Sequence, residues 1–132
     1  MFALDLDELI RNALLEDIHT GDITTMACVD VSAEGLARLV SKEQFVLAGI
    51  DVAGRVFTLM DSATTFEKML DDRARVKPGD ILAQVSGTSS SLLQAERVAL
   101  NLLQRMSGIA TLTSRYVDAV SGTKARIVDT RK

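Results

Sequence analysis

Four side chains in the second half of the chain stand at spacings that bring them together. Gln94, Arg97, Asn101 and Gln104 are separated by three, four and three positions, so on a helix they share one face, with nearly everything around them apolar. A solvated helix face accounts for such a stripe. So does an anion site built on Arg97, because a guanidinium fork matches carboxylate or phosphate oxygens two at a time. Periodicity alone does not choose between the two. A second polar set closes the sequence: in GTKARIVDTRK the apolar pair Ile127 and Val128 is followed at once by Asp129, Thr130, Arg131 and Lys132. A solvated tail is the ordinary reading of basic residues there. The alternative is that an apolar strand delivers Thr130, Arg131 and Lys132 to its carboxyl end, where ligands of α/β sheets and barrels bind and where cations meet anionic substrates.

Other reactive residue types are scarce. His19 is the single histidine and Cys28 the single cysteine, so neither a multi-histidine metal site nor an intrachain disulfide can be assembled from within the sequence. His19, in a turn-rich setting, reads as a hydrogen-bonding residue, and Cys28 as a small buried hydrophobe. Neither is assigned to the site. The composition is that of a globular protein, with 47% hydrophobic and 25% charged residues. A formal net charge of -3 excludes a general nucleic-acid binder, which needs a basic surplus to neutralise phosphates. The opening MFALDLDELI carries acids where a secretion signal carries basic residues, and no run approaches the roughly 18 apolar residues of a membrane span. A cytoplasmic setting and no membrane association are therefore expected.

The elements that must position these residues follow from periodicity and turn chemistry. LDLDELIRNALLEDI places Leu6, Leu9, Ile10, Ala13 and Leu14 at helical spacing behind Asp5 or Asp7 as cap. HTGDITT reads as an ordered loop. From Gly35 to Gly49 two short strands are predicted, paired with each other across Lys42, Glu43 and Gln44. IDVAGRVFTLMD is a helix that packs on the sheet, with Val52, Val56, Phe57, Leu59 and Met60 as its stripe. Beyond it come a strand, a turn at Pro78–Gly79 and a strand over Ile81 to Val85. The serines after Gly87 suit an N-cap for a long helix, bent or broken near Ser107 and Gly108, resuming to Val120 and closed by Gly122. A last strand starts at Lys124. The class is α+β.

VKPGDILAQVSG is similar to the turn and strand of biotinyl and lipoyl carrier domains, without a lysine set between apolar neighbours for cofactor attachment. A non-catalytic carrier-like or binding module is one function class this leaves open.

EDIHTGDITT, VLAGIDVAGRVF and above all AERVALNLLQRMSGIATLTSRYVDAVSGTKARIVDTRK resemble quinolinate phosphoribosyltransferase, the decarboxylating enzyme of NAD biosynthesis. The likeness covers most of the chain, and ERxALNLLQRxSGIAT followed by GTKARIxDTRK is its specific part. His19 is the visible departure, at a place where a glycine or another small residue is expected. The resemblance implies an antiparallel α+β sandwich with packed helices over residues 1–107, long linking helix included, and the first helix and strand of an α/β barrel over 108–132. It also implies a homodimer or higher oligomer in which Arg97 reaches the partner's quinolinate, while Thr130, Arg131 and Lys132 contact quinolinate and phosphoribosyl pyrophosphate. Mg²⁺ would accompany the pyrophosphate donor, with ligands expected beyond this sequence. Because the family's barrel needs several more strands, the chain is expected to be a fragment, inactive by itself. A related phosphoribosyltransferase acting on nicotinate or another heterocycle is the neighbouring alternative.

Overall fold

The structure, a computed structural model, describes residues 5–19 and 32–130. Among these residues three helices and five strands follow in the order α1 (Leu6–His19), β1 (Glu34–Val40), β2 (Phe45–Val46), α2 (Ile50–Met60), β3 (Thr65–Lys68), β4 (Arg75–Val76), β5 (Ile81–Thr88) and α3 (Ser89–Ala119). This is the expected α+β arrangement of antiparallel strands and packed helices. Asp5 is the cap of α1, its carboxylate accepting from the Asp7 N–H at 3.0 Å. The serines do not cap α3. Thr88 does, its Oγ1 accepting from the Ser91 N–H, and the serines fill the first turn.

The strands pair differently from the expectation. β1 and β2 are not partners: β1 joins β5 and β5 joins β3 in a three-stranded antiparallel sheet, while β2 pairs with β4 in a separate two-stranded ribbon. The physical cause lies at the end of β1. Its register slips between Leu39 and Val40, and Ser41 then exchanges backbone hydrogen bonds with residues 79 and 80 rather than with the Phe45 strand. Leu47, just beyond β2, is likewise bonded to Arg73 and Ala74. The predicted turn at Pro78–Gly79 is present, and Gly79 takes the positive φ of 91° that only glycine adopts without strain.

One core joins all three helices to the sheets. Ile10 and Leu14 of α1, Ile50, Ala53, Val56 and Phe57 of α2, Leu82, Ala83 and Val85 of β5, and Leu92, Ala95, Val98, Ala99 and Leu103 of α3 are buried together. Each fully buried large aliphatic side chain contributes about 1.5–3 kcal/mol. At the start of α2, Gly49 has φ 90°, and a Cβ there would lie 2.6 Å from the Met106 sulfur. Having no side-chain cap of its own, the helix receives one from a distance: the Asp72 carboxylate accepts from the N–H groups of both Gly49 and Ile50 at 3.0 Å.

Two expectations about the second half fail. α3 runs without a break through Ser107 and Gly108. A glycine inside a helix costs about 1 kcal/mol, but here contacts to the segment 46–48 hold the helix on either side of it. Thr111 Oγ1 donates to the Ser107 carbonyl one turn back, and the Ser107 hydroxyl is engaged by Ala48, so it does not compete for the helix's own backbone. The strand expected from Lys124 is also not formed; residues 125–130 have no regular secondary structure and are exposed. A strand requires a neighbour to satisfy its backbone groups, and no described strand pairs with this segment.

Candidate functional site

α3 changes character along its length. Up to Leu103 its buried side chains are apolar; beyond that point the side facing the domain is polar. Ser107, only 4% exposed, accepts from the Ala48 N–H at 3.1 Å and donates to the Ala48 carbonyl at 3.2 Å. Thr111 Oγ1 accepts from the Val46 N–H at 2.9 Å. Ser114 and Asp118 both take contacts from the Arg75 guanidinium at 3.3 Å. Spacings of four, three and four put this set on one helix face, where it completes the hydrogen bonding of the β2–β4 ribbon. The opposite face carries Ile109, Leu112 and Tyr116, each more than half exposed. The amphipathic order is inverted, with the polar face inward and the apolar face outward. Between the second half of α3 and residues 40–45 lies an open groove of about 680 Å³, with Lys42, Gln104, Leu112 and Arg115 among its lining residues.

The polar stripe of α3 sorts unevenly. Gln94 donates to Ser90 one turn earlier at 3.2 Å, and Asn101 and Gln104 are exposed. The solvated-face reading fits Asn101 and Gln104, while Gln94 is half-buried. Arg97 differs. Its side chain is 69% exposed, yet Nη1 lies 3.2 Å from Oδ1 of Asp17, a carboxylate on α1 that is itself only 24% exposed. Sequence reasoning did not reach Asp17, because nothing periodic links positions 80 residues apart. The only available signal was its place in the EDIHTGDITT stretch.

Thr130 is exposed in the segment that follows α3, and Arg131 and Lys132 lie outside the described residues, as do the GDITT loop and Cys28. His19 is the last residue of α1. About 33 Å of helix separates Arg97 from Ala119, and among the described residues no hydrogen bond or ion pair joins Arg97 to Thr130. Nor is there a metal-binding group: among the described residues no three His, Cys, Asp or Glu side chains come together.

Shifted titrations mark structural contacts instead. The Arg55 guanidinium holds the Asp7 carboxyl below the ordinary carboxylate range through paired hydrogen bonds from Nε and Nη2, and its own pKa is raised in return. Asp61 is lowered by the Ala63 N–H and then by the Ser91 hydroxyl, which ties it to the start of α3. Lys68 is raised by Asp71 and Asp51.

The family model for the quinolinate phosphoribosyl transferase N-terminal domain matches residues 22–107. The chain belongs to that family. Within it, a probable nicotinate-nucleotide pyrophosphorylase [carboxylating] of Synechocystis is 40% identical over 127 residues, which are 96% of this chain and 43% of the relative. The nicotinate-nucleotide pyrophosphorylase [carboxylating] of Mycobacterium leprae is 44% identical over 95% of this chain and 45% of its own length. A chloroplastic relative of that name from Arabidopsis thaliana is 43% identical over 97% of this chain and 36% of the relative. Among solved structures, NadC from Streptococcus pyogenes superposes with a TM-score of 0.91 at 40% identity, covering 99% of this chain and 47% of that one. The nicotinate-nucleotide pyrophosphorylase of Francisella tularensis gives 0.87 at 32% identity. The chain thus spans less than half the length of the curated relatives it matches, and no described helix is long and apolar enough to cross a membrane.

Proposed function

We propose that this chain supplies the N-terminal domain, with the entry into an α/β barrel, of a quinolinate phosphoribosyltransferase that makes nicotinate mononucleotide from quinolinate and phosphoribosyl pyrophosphate. The observation that carries the reading is the joint likeness in sequence and shape: 40% identity with a TM-score of 0.91 across 99% of the chain. Residues 1–107 form the N-terminal domain in this reading and residues 108–132 lead into the barrel. The outward apolar face of α3 around Ile109, Leu112 and Tyr116, and the exposed Val128, support it as surfaces that further structure would cover. The enzyme works as a homodimer or larger oligomer in the cytoplasm, without nucleic acid.

The reaction sets the roles. Quinolinate carries two carboxylates and the donor carries a phosphate and a pyrophosphate, so their approach in a site of low dielectric requires cations. The pyridine nitrogen bonds to the anomeric carbon as the carbon–oxygen bond to pyrophosphate breaks and the electron pair leaves with that oxygen. The nitrogen, now quaternary, withdraws electrons from the ring; the adjacent carboxylate departs as CO₂, and the ring carbon left with the electron pair takes up a proton. Arg97 grips a quinolinate carboxylate from across a subunit interface. Thr130, Arg131 and Lys132 bind quinolinate and the donor at the end of the first barrel strand. Support for the cross-subunit role comes from the exposure of Arg97 and its lack of any contact with Thr130 in its own chain. The work of the protein is positioning and charge complementarity.

The test is complementation in the family-length enzyme. Arg97→Ala is expected to weaken quinolinate binding by about 1.5–3 kcal/mol, the worth of a charge-assisted hydrogen bond. Mixing Arg97→Ala with Arg131→Ala subunits should restore part of the nicotinate mononucleotide formation that each variant loses. Absence of any recovery would remove the shared-site assignment, and turnover by the 132-residue chain alone would overturn its role as one part of the enzyme.

A further inference from the structure

The Arg97 guanidinium has one bond among the described residues, from Nη1 to Asp17. Elsewhere in the molecule the Nε–Nη2 edge of an arginine shows what it can do: in Arg55 that edge takes both oxygens of the Asp7 carboxylate. The same edge of Arg97 is left unengaged by the Asp17 contact, on a side chain that is 69% exposed. Asp17, at 24% exposure, is the better anchored of the two, since α1 is held to the body through the buried Ile10 and Leu14. The contact therefore fixes the far end of a long side chain from the opposite side to its carboxylate-binding edge. A free arginine side chain carries about 2 kcal/mol of rotamer entropy that ordering must overcome. An arginine already held at Nη1 loses less when it closes on a planar carboxylate.

We propose that Asp17 is a positioning residue for quinolinate, holding Arg97 by Nη1 so that its Nε–Nη2 edge faces an incoming carboxylate. This rests on the assignment of Arg97 to quinolinate binding made above. Asp17 itself touches no substrate. Through Arg97 its effect falls on binding of the dicarboxylate, because Arg97 makes the same contact in the ground state and the transition state, and loss of such uniform binding raises KM with kcat unchanged.

Steady-state kinetics of the family-length enzyme test it, with Arg97→Ala, Asp17→Ala and the double variant. Asp17→Ala should raise the KM for quinolinate roughly 1.5- to 5-fold, the reach of an exposed ion pair. The kcat and the KM for phosphoribosyl pyrophosphate should stay unchanged, and Asp17→Ala should add nothing in the Arg97→Ala background. Asp17→Asn keeps an acceptor oxygen and should give a smaller rise; it serves as the test variant if Asp17→Ala fails to fold. An unchanged or lowered quinolinate KM in both Asp17 variants, while Arg97→Ala raises it, overturns the inference and leaves Arg97 in the site. So does a rise in both KM values with a fall in kcat, or a further rise on the Arg97→Ala background, since either shows an effect not routed through Arg97. If Arg97→Ala itself leaves quinolinate binding intact, the earlier assignment falls and the role of Asp17 with it.

Discussion

Replacing Ser107 by alanine should loosen the second half of α3 from the domain. The hydroxyl is buried, and it serves both backbone groups of Ala48, accepting at 3.1 Å and donating at 3.2 Å. Its removal leaves a peptide donor and an acceptor of Ala48 without that partner, and an unsatisfied buried group costs about 1–3 kcal/mol. One effect opposes this, because alanine is the better helix former by about 0.5 kcal/mol. The net loss is therefore about 0.5–2.5 kcal/mol. Urea unfolding followed by circular dichroism should show a midpoint lower by roughly 0.25–1.25 M with the slope unchanged, and the melting temperature should fall by about 2–10 °C. Amide hydrogen exchange at Ala48 should quicken more than at the α2 core. A midpoint equal to or above that of the parent chain would refute the reasoning, showing that helix propensity outweighs the tether and that Ser107 has another role.

Thr111→Val, which keeps the shape but removes the acceptor for the Val46 N–H, should cost about 1 kcal/mol in the same unfolding experiment. Gly54→Ala places a Cβ 2.7 Å from the Phe66 ring, which is stacked on Phe57 with centroids 6.0 Å apart; the overpacking cost of about 1–3 kcal/mol exceeds the helix gain of about 1 kcal/mol, so the midpoint should fall. Gly108→Ala meets nothing within 4 Å and should stabilise the isolated chain by about 0.5–1 kcal/mol, as read by its melting temperature. Asp7 and Asp61 both have pKa values below the ordinary carboxylate range in the folded chain, so their stabilisation is present above that range and is lost as pH falls through the lowered values. Unfolding midpoints measured down to pH 2 should therefore decline less steeply in Asp7→Asn than in the parent, and an identical decline would contradict the assignment.

Local physics was enough to find the helices, the Pro78–Gly79 turn and the glycine that closes α3, because helical spacing and permissive φ angles are written into neighbouring residues. The motifs around Arg97 and in GTKARIVDTRK were also legible, as residue types suited to anions at suggestive spacing. What the motif residues do was less so. Ser107 and Thr111 sit in the most specific stretch of the chain, and only the fold shows that they bind the backbone of Ala48 and Val46. The pairing of β1 with β5 rather than β2 was equally beyond reach, since either partner satisfies the same alternation and the choice is made by a register slip at Leu39–Val40 and by Ser41's bonds to residues 79 and 80.

The sequence by itself determined where the described helices lie to within their ends, which glycines turn the chain and which side chains carry the charge an anion would need. The tertiary structure alone decided that Asp17 meets Arg97, that α3 turns its polar face inward beyond Leu103, and that Ile127 and Val128 form no strand without a neighbour. The physical reason is range: a helix closes its hydrogen bonds within four residues, whereas strands, ion pairs and buried hydroxyls need partners whose distance along the chain no local pattern records.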